Sequence, residues 1–444
     1  MRIYATFVLF SSFAYSFWYN LLGPIGAAIL MVVLDAATIA IWMRRRRSSV
    51  ARAKLSWAWP SLVYVTLAAL SLIWSTWPWV TTITWLLLAS ATVQGLFLAI
   101  QLRVADLVAA ADRALKCVLL SSLAIEIWIA LRGTPLVPNF ADVPSDPDPH
   151  WYWVRGNLFD GLVSATSRIQ GIVGNSNLLA AVSALSILVS LAVLVSSRRH
   201  RVLQSIYILL AGWMLLRGGS ATILIALMFV ALAVAIASLF ARMRRRPARL
   251  WAASGILVAL AGVGLVIVMH FETIQGALGK DGTLTGRTRI WSMVLERAAE
   301  APILGHGFAS PWLPWDPSFS RWIFDHEIVV FQAHNMWIDV YLQLGSVGLV
   351  VLVMVATVTM WRAWRLATSG RNLGGKRARG TLVRALPLAV VVLLLTQGIT
   401  ESSPMMLWGW LVFTVLLATL PPRLDLPAEL GVTREDRDHG TMGV

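Results

Sequence analysis

The segment Phe331-Gln332-Ala333-His334-Asn335-Met336-Trp337 joins a long polar stretch to a strongly apolar run that continues to Gly345. Histidine is the side chain whose ordinary pKa lies nearest neutrality, so His334 is suited to proton transfer at a membrane surface. A lone histidine at the start of a helix is more often a capping or packing residue than a catalytic one. The rest of the chain has to decide between these interpretations.

The composition around this segment is that of a membrane protein. Hydrophobic residues make up 58% of the 444 residues and charged residues only 13%. Apolar runs of about 20 residues, long enough to cross a bilayer as a helix, recur from end to end. We predict an all-α polytopic integral membrane protein with about twelve transmembrane helices and an uncleaved first helix. The predicted spans are residues 4–20, 23–43, 57–75, 78–101, 112–131, 172–196, 202–216, 219–241, 250–270, 335–360, 384–400 and 404–421.

Charges between the predicted spans indicate the orientation. The net charge is +15, but the basic residues form short clusters that each follow an even-numbered span. Such clusters are typical of cytoplasmic loops, so they argue against nucleic-acid binding and place both termini in the cytoplasm. The predicted division of the chain is residues 1–131 with helices 1–5, an outer loop at 132–171, residues 172–270 with helices 6–9, an outer loop at 271–334, residues 335–421 with helices 10–12, and a cytoplasmic tail at 422–444.

The second outer loop contains one predicted helix. Apolar residues recur at helical spacing between Thr285 and Glu300, and Pro302 and Gly305 follow them. Charged residues fall on the other faces of this segment. The pattern predicts an amphipathic helix that lies on the bilayer or on the transmembrane bundle, with Thr285 as its N-cap.

Arginines on the predicted outer side are unexpected, because basic residues normally concentrate in cytoplasmic loops. A specific anion would explain them, since guanidinium groups bind phosphate in bidentate fashion and keep their charge. We expect a lipid-linked phosphate or pyrophosphate at the outer leaflet; the alternative is that these arginines contact lipid headgroups or loop carboxylates. The candidate site residues on this side are Arg168, Asn175, Arg217, Ser220, Thr222, Arg287, Arg289, His334 and Asn335.

Metal and cofactor chemistry receive little support from the sequence. The single cysteine, Cys117, lies in an apolar run and rules out a cysteine-based metal cage. His306 and His334 could bind zinc, but no third ligand has the spacing of a zinc motif. Phosphate-loop and dinucleotide motifs are absent from the sequence. We predict no metal and no cofactor, with arginines neutralising negative charge instead.

Several short blocks resemble the O-antigen ligase family, which shares a domain with the O-antigen polymerases. As a series these blocks are fairly specific, although each alone is weak. They fall within roughly residues 165–350 and are Arg168-Ile169-Gln170-Gly171, Gly174-Asn175-Ser176-Asn177, Ser220-Ala221-Thr222, Gly286-Arg287-Thr288-Arg289-Ile290-Trp291, Pro302-Ile303-Leu304-Gly305-His306-Gly307-Phe308, Ala333-His334-Asn335 and Gly345-Ser346-Val347-Gly348-Leu349.

Two positions depart from the pattern of that family. Ala221 stands where arginine is frequent, and Gln343 stands where glutamate is common, so the acid of that position is missing. Arg217 lies four residues before Ala221 and would share its face on a continuous helix. We therefore expect Arg217 to supply the charge that Ala221 lacks.

The resemblance implies a glycosyltransferase C-like fold and a metal-independent, inverting transfer at the periplasmic face of a Gram-negative inner membrane. An O-antigen polysaccharide would leave an undecaprenyl pyrophosphate carrier and join a sugar hydroxyl of lipid A-core, with inner-membrane lipids around the enzyme. His334 would be the catalytic base, and Arg287 and Arg217 would neutralise the leaving pyrophosphate. The other candidates, including Arg168 and Asn335, would bind substrate.

Three other functions stay open. An O-antigen polymerase uses the same donor but extends another carrier-linked chain, and a bacterial protein O-oligosaccharyltransferase has a protein acceptor. A lipid-linked glycan transporter or flippase belongs to a different class, and such proteins carry ionisable residues deep in their spans. Here Asp35, Glu126 and Asp339 are few and scattered, and no inverted repeat is evident.

Overall fold

The computed structural model describes an almost entirely helical chain over residues 1–44, 49–138, 148–160, 168–196, 201–243, 245, 247–248, 251, 283–325, 328–369 and 377–422. Nearly all of the predicted ninth span, the stretch that follows it and the predicted cytoplasmic tail lie outside the described residues. The helices are α1 (Arg2–Phe13), α2 (Tyr15–Arg44), α3 (Ser49–Trp57), α4 (Trp59–Leu70), α5 (Pro78–Gln101), α6 (Val104–Arg132), α7 (Ser176–Ser196), α8 (Arg201–Gly218), α9 (Ala221–Arg242), α10 (Thr283–Ala298), α11 (Pro317–Ser320), α12 (Met336–Thr368), α13 (Arg377–Gln397) and α14 (Leu407–Thr419).

Short elements fill the connections between these helices. Two-residue strands, Phe324–Asp325 and Ile328–Val329, pair antiparallel between α11 and α12. Single 3₁₀ turns occupy Ser71–Ile73, Pro149–Trp151, Asn157–Phe159 and Ser403–Met405.

The fold is that of a polytopic membrane protein, as the composition predicts. Within the described residues, six helices are long and apolar enough to cross a bilayer, namely α2, α5, α6, α7, α9 and α12. The pair α3 and α4 meets the same criterion jointly, with a bend of 57° between its halves. The predicted total of about twelve spans stays a prediction.

Small residues bring the central helices together. α7 packs against α8, α13 and α6, and its buried side chains are mostly alanine, serine and leucine. Lipid tails give no hydrophobic force between helices, so close packing through small side chains is what holds such a bundle together. This packing fixes the start of α7 against the ends of α8 and α13, where the polar residues of the candidate site lie.

The predicted amphipathic helix is present as α10, and it packs on protein. Ile290, Val294 and Ala298 are buried in a separate apolar cluster with Trp77, Trp312 and Phe319. Leu295, one of the apolar residues that recur at helical spacing between Thr285 and Glu300, is exposed. Arg287, near the start of α10, is thereby held at a fixed position relative to the beginning of α12.

The predicted tenth span is broken near its N-terminal end. Gly345 within α12 has φ 61° and ψ −160°, which separates a short helix at 336–344 from a span at 346–368. Residues 302–307 pass beside the break and bind its backbone, with Ser346 N donating to Pro302 O at 2.9 Å. Glycine adopts this backbone conformation without steric cost, which is why the helix can break here.

Replacing Gly345 by alanine should destabilise the protein strongly. A Cβ at this position would overlap the backbone of Ile303, and the φ value is unfavourable for any L side chain. We expect the free energy of unfolding to fall by about 2 kcal/mol or more. The melting temperature in detergent measures this effect. Gly212→Ala, in α8 with open space around it, is the matched control and should be neutral or slightly stabilising; equal effects of the two substitutions would contradict the prediction.

Candidate active site

A buried carboxylate lies at the centre of the candidate site. Glu401, in the turn after α13, is only 5% exposed. Its Oε1 accepts hydrogen bonds from Arg287 Nη2 and from Asn177 Nδ2, both at 3.0 Å. Its Oε2 contacts His334 Nδ1 at 3.1 Å and accepts from Gln332 Nε2 at 3.3 Å. A buried charge is tolerated when it is paired and fully hydrogen-bonded, and Glu401 meets both conditions.

These partners keep Glu401 ionised. Burial alone would raise the pKa of its carboxyl. The charge and hydrogen bond of His334, the charge of Arg287 and the hydrogen bond of Asn177 outweigh burial and hold the pKa of Glu401 below its ordinary value. Because an ionised carboxylate only accepts hydrogen bonds, we assign the proton of the His334 ring to Nδ1. The Nε2 atom of a neutral His334 then carries the free electron pair.

The lowered pKa of Glu401 predicts a loss of stability in acid. Its ionised form contributes stability that is complete above the ordinary glutamate pKa of about 4.3 and is lost as the pH falls through the lower folded-state pKa. Glu401→Gln lacks this contribution at every pH. We expect the melting temperature of the wild type to fall relative to that of Glu401→Gln as the pH is lowered from about 6 to below about 4. Parallel pH curves for the two proteins would contradict the assignment.

His334 and Asn335 have separate roles in the local structure. The side-chain oxygen of Asn335 accepts from Trp337 N at 3.0 Å and from Ile338 N at 3.3 Å, so Asn335 is the N-cap of α12. His334 has a φ of 50°, which is uncommon for a residue other than glycine, and its side chain is 24% exposed. The capping role considered for His334 thus belongs to its neighbour, and the imidazole is directed to Glu401.

Arg168 lies on the other side of the same cluster. Its Nη2 donates to Asn177 Oδ1 at 2.6 Å, and its Nε donates to Gly218 O at 2.8 Å. Asn177 donates in turn to Glu401, so its amide links Arg168 to the carboxylate. The Arg287 side chain contacts Glu401 and remains 22% exposed. The structure therefore brings together Arg168, Arg287 and His334 from three distant parts of the sequence.

Arg217 is placed differently from the sequence-based expectation. α8 ends at Gly218 and α9 begins at Ala221, with Gly219 at φ 59° between them. The continuous helix on which residue 217 would share a face with Ala221 is therefore absent, and that argument was wrong. Arg217 is 4% exposed, and its guanidinium donates to the carbonyls of the 157–160 turn, including Asp160 O at 2.7 Å.

The remaining predicted residues have mainly structural contacts. Asn175 Oδ1 accepts from Asn177 N at 2.8 Å and caps α7. Ser220 is buried directly before α9, and Thr222 accepts from Thr400 Oγ1 at 3.1 Å, next to Glu401 in the chain. Arg289 is exposed on α10.

Metal-ligating side chains do not converge in the part of the chain that the structure describes. No three His, Cys, Asp or Glu residues lie close enough there to hold an ion. His306 is turned away from His334: its Nε2 lies 2.8 Å from Arg297 O and its ring stacks on Trp77. Gln343 binds Ala309 N and donates to Asp339, so it helps to hold the 302–313 segment on α12.

Sequence reasoning missed Glu401 and Gln332. A signal for Glu401 was present, because it is an acidic residue in the short connection between the predicted spans 384–400 and 404–421. The predicted alternation of spans places that connection on the same predicted outer side as His334 and the arginines. A single acidic residue on the same predicted side as several arginines is expected to form ion pairs with them.

Together these residues can do two things chemically. The His334–Glu401 pair can hold an imidazole in one tautomer and accept a proton at Nε2. The adjacent guanidinium groups of Arg168 and Arg287 can neutralise an anion. Acid–base catalysis beside an anion site suits the transfer of a group from a phosphorylated donor to a hydroxyl.

Comparisons with known proteins agree with the motif resemblance. Residues 206–353 match the protein-family model described as O-Antigen ligase. The exopolysaccharide production protein ExoQ of Rhizobium meliloti (strain 1021) is 30% identical over 169 residues, which are 37% of this chain and 39% of that protein. The match therefore spans well under half of either chain. The family predicted from the motifs is confirmed for the matched segment, which contains Arg217, Arg287 and His334.

Proposed function

We propose that this membrane protein, whose residues 206–353 match the O-antigen ligase family, transfers a glycan from a lipid pyrophosphate carrier to a sugar hydroxyl. In the O-antigen ligase reaction, the donor is an undecaprenyl pyrophosphate-linked O-antigen and the acceptor is lipid A-core. The observation that supports the proposal is the contact of one buried carboxylate, Glu401, with both His334 and Arg287. This contact brings a candidate base, His334, next to a candidate anion-binding group, Arg287.

His334 acts as the general base in this reaction. The acceptor hydroxyl oxygen attacks the anomeric carbon of the donor glycan, and its proton passes to His334 Nε2. Glu401, bonded to Nδ1, fixes the ring and stabilises the imidazolium that forms. The new bond joins the acceptor oxygen to the anomeric carbon. Attack on the face opposite the pyrophosphate inverts that carbon.

Arginine neutralises the leaving group. The bond between the anomeric carbon and the pyrophosphate oxygen breaks, and its electron pair remains on the pyrophosphate. Arg287 and Arg168 lie on either side of Asn177 and Glu401, where their guanidinium groups can bind the developing charge. Guanidinium groups supply the charge neutralisation that a divalent cation supplies in other phosphate sites, so the proposed reaction needs no metal.

The proposed location is the inner membrane of a Gram-negative bacterium, with both termini cytoplasmic and the site at the periplasmic face. Basic clusters on one predicted side of the membrane support this orientation. The residues of the site fall on the opposite predicted side, where a lipid-linked glycan would meet its acceptor.

A reconstituted transfer assay tests the proposal. The purified chain in nanodiscs is given an undecaprenyl pyrophosphate-linked glycan and lipid A-core, with and without a chelator. We expect lipid A-core to become glycosylated at the same rate in both conditions. No covalent transfer to any hydroxyl acceptor would reject the proposal, and abolition by the chelator would reject its metal-independent form.

One observation favours a second candidate, a polymerase. ExoQ, a protein to which part of this chain is similar, is described as an exopolysaccharide production protein, and its name specifies no lipid A-core acceptor. Carrier-linked repeat units offered in the same assay separate the two reactions. Elongation of these units without transfer to lipid A-core would assign the chain as a polymerase that uses the same base and the same anion site.

A further inference from the structure

The segment 302–309 has exposed apolar side chains, although the sequence assigns it to an outer loop. Ile303 is 65% exposed and Leu304 is 44% exposed. The one titratable side chain of the segment, His306, is buried and contacts a backbone carbonyl. Apolar surface without charge is typical of a face that contacts another apolar partner.

The same apolar surface continues onto both neighbouring elements. Leu304 O accepts from Trp74 Nε1 at 3.0 Å, next to the exposed Ile73 in the turn after α4. Ile303 O accepts from Val347 N at 3.2 Å, and the Val347 side chain is exposed on α12. α12 is long and apolar enough to cross a bilayer, and α3 and α4 meet that criterion jointly. The segment thus extends the surfaces of two candidate membrane spans.

The backbone of the segment is bound to the protein at most of its polar groups. The carbonyl oxygens of residues 302–304 and 306–308 accept hydrogen bonds, and the N–H groups of residues 305–309 donate them. Nearly all of the partners belong to residues 71–84 and to α12. Water can satisfy such groups in an aqueous loop, but irregular backbone enters the hydrocarbon core of a bilayer only where protein satisfies them. The segment meets this requirement at these groups.

The length of the α12 span indicates the depth of the segment. Between the break at Gly345 and Arg362, residues 346–361 carry no charge, and as a helix they are about 24 Å long. The hydrocarbon core of a bilayer is about 30 Å thick. Because Arg362 lies towards the predicted cytoplasmic side, the core should extend outward past Gly345, to the level of Ile303.

One exposed charge lies close to the segment along the chain. Glu300 follows α10 and precedes Ile303 by three residues. Three extended residues reach up to about 10 Å, whereas the headgroup layer on one side of a bilayer is roughly 5–8 Å thick. The chain can therefore pass from the headgroups at Glu300 to the acyl chains at Ile303.

We propose that residues 302–309 are a re-entrant segment in the outer leaflet and that Ile303 and Leu304 contact lipid acyl chains. Two N–H groups of the segment bind carbonyls at the end of the short helix 336–344, which begins two residues after His334. The bilayer thus supports, through this segment, the helix that follows the candidate base. This placement involves no step of the transfer reaction and does not rest on the proposed function.

Spin labels on single cysteines of the full-length protein in lipid nanodiscs test this placement. Cys117→Ser removes the one natural cysteine, and Ile303→Cys or Leu304→Cys supplies the labelled position. Collision rates are measured with oxygen, which concentrates in the acyl chains, and with a water-soluble nickel chelate. Both labels should match a label at Val350→Cys, exposed on α12, and should collide with the chelate several-fold less than a label at Arg321→Cys, an exposed position outside the segment.

Two results would overturn the placement. A collision rate with the chelate as high as that at Arg321→Cys would put the segment in water. Low collision rates with both oxygen and the chelate would show that another part of the protein covers Ile303 and Leu304.

A substitution at Ile303 tests the same placement without a label. A charge in the hydrocarbon core is costly, whereas a charge at an exposed position in water is close to neutral. Ile303→Asp should therefore lower the melting temperature in nanodiscs by on the order of 5 °C. Ile303→Leu and Arg321→Asp are the matched controls and should stay near the wild type. A melting temperature of Ile303→Asp equal to that of Ile303→Leu would contradict lipid contact at this residue.

Discussion

Replacing His334 by alanine is expected to lower the rate of glycan transfer by about 10²- to 10⁴-fold, the usual contribution of a positioned general base. The other described side chains that bind Glu401, namely Asn177, Arg287 and Gln332, carry amide or guanidinium groups, which are not bases near neutral pH. The loss should fall on kcat, since the imidazole accepts the proton only in the transition state. The reconstituted transfer assay measures it.

Three controls make this result specific for the base. Binding of inorganic pyrophosphate should be retained in His334→Ala, because Arg168 and Arg287 remain in place. The melting temperature should fall only modestly, because Glu401 loses one partner but keeps Arg287, Asn177 and Gln332. Added imidazole should restore part of the rate by entering the space that the side chain leaves. Wild-type turnover in His334→Ala would remove the base from the mechanism.

Glu401→Gln is expected to produce a similarly large loss, on the order of 10²-fold or more in kcat, since orienting carboxylates of this kind are worth that much elsewhere. The substitution keeps the size of the side chain but removes the charge that stabilises the imidazolium and fixes the proton on Nδ1. It also removes the carboxylate that pairs with Arg287.

A second measurement distinguishes a role of Glu401 in orienting His334 from a purely structural role. Neutralising Glu401 frees Arg287 from a competing negative charge, so the affinity for inorganic pyrophosphate should stay the same or increase. A collapsed site would lose both pyrophosphate binding and kcat. If both fall together in Glu401→Gln, the carboxylate is a structural residue and its role in catalysis is rejected.

The fold class could be predicted from the sequence because membrane spans are long and their composition is distinctive. The α10 helix was predictable for the same kind of reason, since its apolar residues repeat every three to four positions. The break at Gly345 was not, because a glycine in an apolar run is also common in continuous transmembrane helices. Only the position of the 302–307 segment beside that run shows what the glycine permits.

The types of residue that form the site could be predicted from the sequence. The contacts between these residues were harder to predict. His334 and Arg287 stand in recognisable blocks, whereas Glu401 is separated from His334 by 67 residues and from Asn177 by 224. Contacts over such separations depend on the packing of the bundle, which local patterns do not encode. The continuous helix assumed from Arg217 to Ala221 is interrupted at Gly219, and the partners of Arg217 at 157–160 come from another loop.

The four donors of Glu401 have a consequence for how the protein can change over evolution. Asn177, Arg287, Gln332 and His334 come from three separate segments and share one buried charge. A change at one of them leaves the same charge with fewer partners, while a change at Glu401 leaves Arg287 and His334 without theirs. We therefore expect these five positions to covary among relatives, so that a homologue that has lost Glu401 has also replaced the residues corresponding to Arg287 and His334.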